Sequence, residues 1–118
     1  MPQNRDHFRI PFPIGERPQL VVGAAEFEVI DLSERGARIV RNGQWPADGN
    51  GPFAATIRFR DGTTAGVTAD LHRKDADKLI LRFGKQLSYS LIAAEQRRLL
   101  RLYPRTALQQ HAPAASDA

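Results

Sequence analysis

The chain has 118 residues, 42% hydrophobic and 25% charged, which is enough to bury a core in one domain and too apolar for wholesale disorder. It has no cysteine, which excludes a disulfide framework, a thiolate metal site and a cysteine nucleophile and suits a reducing cytoplasm. The net charge is +4, no run approaches the ~20 apolar residues of a membrane span, and the opening MPQNRDHFRI lacks the apolar core of a secretory signal; a cytoplasmic protein is expected.

In chain order, residues 1–8 are polar and read as a mobile leader. From Arg9 the pattern alternates, with Ile10, Phe12 and Ile14 on one face and Pro11 and Pro13 on the other. That is a strand, and two missing ladder donors place it at a sheet edge. Gly15–Pro18 is a turn, and Gln19–Val22 is a short continuation. Residues 25–32 form a strand whose parity slips: Phe27 and Val29 share one face, Ile30 and Leu32 the other. The slip predicts a bulge or bend where Asp31 and Ser33 sit. Gly36 ends the turn and residues 37–40 leave it as a strand.

Residues 41–52 hold three glycines and two prolines and form a loop. Its Trp45 is read as closing one end of the core rather than as an exposed stacking surface. Phe53, Ala55, Ile57 and Phe59 alternate with polar or small residues, and Asp61-Gly62 is a hairpin signal. Val67, Ala69 and Leu71 mark the next strand, with Thr68, Asp70 and His72 outward. After a polar turn at 74–77, Leu79, Leu81 and Phe83 mark another, with Ile80 and Arg82 outward.

From Ser88 the period becomes helical. Leu91, Ile92, Leu99, Leu102 and Tyr103 fall on one side and Gln96, Arg97, Arg98 and Arg101 tend to the other. Ser88 or Ser90 is the N-cap, and Pro104 ends the helix. Three segments follow: a leader over 1–9, an ordered domain over 10–104 and a disordered tail over 105–118. The fold class is mainly β, a six-stranded antiparallel β-barrel with a C-terminal α-helix. The excess positive charge lies late, with nine basic against three acidic residues over 72–105; a solvated face is favoured over a polyanion-binding one.

Two stretches stand apart from this scaffold. Arg5 and Arg9 lie four apart in the leader, and Asp31, Ser33 and Gly36 are spaced D-x-S-x-x-G at the strand slip. Arginine offers planar forks for phosphates and for base faces or edges. Asp and Ser offer short hydrogen-bonding groups, and Gly lets the backbone turn or be approached closely.

Arg5-x-x-x-Arg9 followed by Asp31-x-Ser33-x-x-Gly36 resembles the signature of the PilZ domain, the bacterial receptor module for cyclic di-GMP. The resemblance covers about residues 4–103. It implies that Arg5 and Arg9 reach phosphates and guanine faces or edges, that Asp31 and Ser33 contact guanine from the barrel surface, and that Gly36 keeps the turn tight. Many relatives carry another arginine directly before the first motif, where this chain has Asn4. Asn4, Arg35 and Arg38 are therefore secondary candidates, the two arginines being open to a second reading as solvent-exposed strand residues. On this reading the ligand is cyclic di-GMP, the leader is ordered when its arginines grip it, and a downstream protein partner receives the signal. No cofactor or metal is expected.

A protein-interaction adaptor of the same fold, indifferent to nucleotide, is the alternative. A general nucleic-acid-binding barrel ranks low, because it expects exposed aromatics across one face and Phe53, Phe59 and Phe83 fall on buried parity. An enzyme is not expected. His7, His72 and His111 are scattered, without metal-ligand spacing or a Gly-rich phosphate loop, and His72 reads as a surface residue.

Overall fold

The computed structural model describes residues 9–42, 45 and 51–103. Its strands are β1 (Arg9–Pro11), β2 (Gln19–Val22), β3 (Ala25–Ser33), β4 (Gly36–Val40), β5 (Phe53–Arg58), β6 (Thr64–Lys74) and β7 (Lys78–Phe83), followed by one helix, α1 (Tyr89–Leu102). All pairings are antiparallel. The order β3-β2-β5-β6-β7-β4 returns to β3 through the β3–β4 pairing, which closes a six-stranded barrel. Closure leaves no free edge in the ring.

Strand β1 stands outside the ring, paired only with the end of β3 that β2 does not reach. The backbone N–H of Phe12 donates to the Ile30 carbonyl (3.0 Å), and Val29 N–H donates to the Pro18 carbonyl (2.9 Å). The chain thus follows one edge of β3, steps out through a single 3-10 turn at Ile14–Glu16, and rejoins the same edge. The alternation that runs through Ile14 in the sequence stops earlier in space: Ile10 and Phe12 are buried, whereas Ile14 is 76% exposed. Pro11 and Pro13 cannot donate to β3, so pairing lapses and the 3-10 turn takes over, closed by Glu16 N–H to the Pro13 carbonyl (2.8 Å).

Alternate residues of every ring strand fill the interior, among them Leu20, Val29, Leu32, Ile39 and Ile57, with Leu79 at 2% exposure or less. Phe59 and Phe83 are buried and Phe53 packs against the same core. Trp45 lies against this end of the core, with ring centroids 5.2 Å from Phe27 and 5.0 Å from Phe53. The 59–63 hairpin has a three-residue loop in which Gly62 takes φ +94°, a region that favours glycine. Phe59 N–H donates to the Thr63 carbonyl (2.8 Å) across its mouth.

Two bulges interrupt the ladders. The β3–β4 register shifts between Val29 and Asp31, as the parity slip predicts, and the β6–β7 register shifts between Leu71 and Arg73, leaving His72 over.

Helix α1 is capped by Ser88, whose Oγ accepts from Leu91 N–H (3.1 Å). It buries Ile92 and Leu99 in the barrel's core, each worth about 1.5–3 kcal/mol by area removed from water. The apolar stripe differs from the helical periodicity in two places. Leu102 is 53% exposed, and Glu95 is buried at 5%. Arg98, expected to face out, turns in: its guanidinium donates twice to Glu95 (3.1 and 2.9 Å) and once to Glu16 of the 3-10 turn (2.9 Å). Tyr103 Oη donates to the other Glu16 oxygen (3.0 Å). A carboxylate at a core-facing helix position needs a cation, and a planar guanidinium bridges two carboxylates where a leucine cannot. The Arg98 hydrogen bond holds the Glu16 carboxyl below the usual range. The hydrogen bond that Tyr103 gives to Glu16 raises its own phenol.

Arg98→Ala should therefore destabilise the fold by about 2–4 kcal/mol in urea unfolding, because it leaves two carboxylates short of their donor. A group with a lowered folded pKa stabilises above its unfolded value and loses that contribution as pH falls through the lowered one. The stability gap between wild type and Glu16→Gln should thus be full at pH 7 and shrink below about pH 4.

Candidate functional site

The barrel's outer surface across β1, β3, β4, β7 and β6 carries a cleft of about 540 Å³, within the range of small-ligand sites. Arg9, Ser33, Arg35 and Gly36 line it from one side, and His72, Arg82, Gly84 and Gln86 from the other. Strand pleating explains the set. Leu32, Ala37, Leu81 and Phe83 point inward, so their neighbours Ser33, Gly36 and Arg82 belong to the outer face.

Asp31 follows the β3 bulge and is 7% exposed. Its Oδ1 accepts from Arg9 Nη1 at 2.7 Å, and Arg38 Nε stands 3.7 Å from Oδ2. Arg9 is thus the link between Asp31, which lies just beyond the cleft's lining, and the cleft itself. Ser33, opposite Arg9 in register, is fully buried. Its Oγ accepts from Arg35 N–H (3.2 Å) and faces the Gly36 carbonyl (3.4 Å), a side-chain-closed turn. The turn is held from outside as well: Phe83 N–H donates to the Arg35 carbonyl (2.7 Å) and Leu87 N–H to the Glu34 carbonyl (2.8 Å). Gly36 lies so close to β7 that a Cβ there would run into the Leu81 carbonyl oxygen.

Of the residues the sequence singles out, Arg9, Asp31, Ser33 and Gly36 therefore meet at one place, and Arg35 and Arg38 flank it. Arg5 and Asn4 lie outside the described residues. Among the lining residues that were not sequence candidates, two carry side chains suited to an anion or its support, Arg82 and His72. Only the register of β6 on β7 brings them to the cleft, and a single bulged residue leaves no periodic signal of its own. Among the described residues no cluster of His, Asp or Glu has metal-binding geometry, and no helix is long and apolar enough to cross a membrane.

A family model described as the PilZ domain matches residues 3–103. Among solved structures, an uncharacterised Legionella protein has a similar fold, with a TM-score of 0.54 at 16% identity, covering 89% of this chain and 99% of that one. No curated protein matches the chain.

The closeness of Gly36 to β7 gives a direct check of how the turn is built. Gly36→Ala should force the strands apart and lower stability by about 1–3 kcal/mol, read as a fall in the thermal midpoint, whereas Gly15→Ala, where the added Cβ meets nothing within 4 Å, should leave it nearly unchanged.

Proposed function

Because the chain belongs to the PilZ domain family, whose domains are of the cyclic di-GMP-binding type, we propose that it is a receptor for this dinucleotide. The observation that carries the reading is the 2.7 Å bond from Arg9 to Asp31 at the mouth of the cleft, which unites the two halves of the signature. Cyclic di-GMP is a dianion with two guanines, so its binding requires cations for phosphates and paired acceptors for the guanine N1–H and N2–H₂ edge.

Asp31 supplies the acceptors. One of its oxygens is engaged by Arg9 and the other has only the longer Arg38 contact. A guanine that takes both oxygens displaces Arg9, whose guanidinium then turns to a phosphate or stacks on the base. Ser33 offers its hydroxyl at the turn, and Gly36 keeps the surface low. Arg5 joins from the leader, which closes over the ligand. Fixing a residue costs ~1–2 kcal/mol and a charge-assisted hydrogen bond returns ~1.5–3 kcal/mol, so closure succeeds only when several contacts form together. That makes leader closure an all-or-none signal for a protein partner in the cytoplasm. No chemical step is involved: the module binds and reports, and acts as no enzyme.

A nucleotide-independent adaptor is the second reading. The observation in its favour is the exposure of Ile14, Tyr89 and Leu102, apolar side chains that a protein partner could cover.

Calorimetric titration of cyclic di-GMP should give micromolar or tighter binding to wild type, and Arg9→Ala or Asp31→Ala should weaken it at least tenfold. Absence of micromolar binding to wild type would sink the receptor reading in favour of the adaptor. Backbone NMR relaxation should show residues 2–9 becoming more rigid as ligand is added; unchanged rigidity would remove the leader from the mechanism.

A further inference from the structure

The cleft has a second side, formed by Arg82 of β7 and His72 of β6, on which no residue of the signature lies. Arg82 stands opposite Gly36 in register. Since Gly36 carries no side chain, nothing from β4 at this level screens the guanidinium from the turn. Arg82 and Arg35 have no carboxylate partner among the described residues, in contrast to Arg9 and Arg38, which share Asp31. Asp70 is opposite Arg82 in register yet forms no ion pair with it.

The β6 bulge adds a separate observation. Leu71 pairs with Leu81 and Arg73 with Ile80, so His72 is the unpaired residue between them. Bulges disturb the ladder and re-aim a side chain, and here the His72 ring meets Arg82, Nε2 to Nη2 at 3.3 Å. A guanidinium only donates, so Nε2 is the acceptor in this contact. Arg82 is thereby held by a ring nitrogen and not by a carboxylate, which orients its fork without cancelling its charge.

We infer that Arg82 is a second phosphate-binding cation of the cleft and that His72 positions it. The inference rests on the receptor reading above and extends it. The macrocycle of a cyclic dinucleotide carries its two phosphodiesters on opposite sides. Arg9 takes one from the β1 side, and Arg82 takes the other from the β7 side, with Arg35 at the turn between them. The ligand is gripped across the cleft, not from the leader side alone, and this favours a cyclic dinucleotide over a guanine mononucleotide, whose single phosphate reaches one wall.

The test is calorimetric titration of the full chain with cyclic di-GMP and with GMP. Arg82→Ala should weaken cyclic di-GMP about ten- to a hundredfold, the loss expected for a charge-assisted phosphate contact, and change GMP binding by a smaller factor. Arg82→Gln, which keeps most of the side chain's bulk, should do the same, so the result does not depend on how one variant folds. His72→Ala should weaken cyclic di-GMP several-fold, and His72→Gln, whose amide oxygen accepts from Arg82, should restore it. Wild-type binding that Arg9→Ala weakens and both Arg82 variants leave unchanged would overturn the second wall while the receptor reading stands. A His72→Gln variant as weak as His72→Ala would overturn the positioning role. No binding by wild type would overturn both the second wall and the receptor reading.

Discussion

The turn from Ser33 to Gly36 is the constraint on which the rest of the structure depends. It joins β3 to β4, the pairing through which the barrel closes. Its two central carbonyls are taken by the backbone N–H groups of Phe83 and Leu87, and Gly36 sits against the β7 backbone where no side chain fits. The same few residues therefore close the ring, floor the cleft and anchor the segment that leads into α1. An interior strand satisfies its backbone groups in the ladders on either side. This turn takes its donors from one distant stretch, the end of β7 and the segment that follows it, because a tight turn leaves its own carbonyls without ladder partners.

Electrostatics organises the molecule around that turn in two separate groups. At the cleft, Asp31 is shared by Arg9 and Arg38, and further cations face it without acidic partners among the described residues. At the other end of the β1 segment, Glu16 and Glu95 share Arg98. The first group is cation-rich and suited to an anionic ligand. The second is acid-rich and closed on itself, and it ties α1 to the 3-10 turn. The two are linked covalently, since only Ile10 to Gly15 separate Arg9 from Glu16. The segment between them is short and proline-stiffened, and its far end is fixed to the helix.

Much of this was legible in the sequence. Period-two alternation in residues 53–59, 67–71 and 79–83 marks half-buried strands, because successive side chains of a strand face opposite ways whatever the strand pairs with. The parity slip at Ile30 announces the first bulge for the same reason. The D-x-S-x-x-G spacing and the arginine pair point to the family, and Ser88 to the helix cap. The pattern failed where a partner decides the outcome. Ile14 and Leu102 are apolar and in phase, yet the chain leaves the sheet before one and the helix extends beyond its packing surface at the other. Arg98 is charged and reads as exposed, yet the two carboxylates it serves include one 82 positions away.

The sequence by itself determined the local alternations, the caps and turns, and the motif spacing that marks the family, since these depend on neighbours within a few positions. Only the tertiary structure decided that the barrel closes through β3 and β4 with β1 left outside, that Arg98 turns inward, and that Arg82 and the bulged His72 line one cleft with Arg9. Those outcomes rest on inter-strand register and on charges brought together by folding, and neither is encoded in the spacing of residues along one strand.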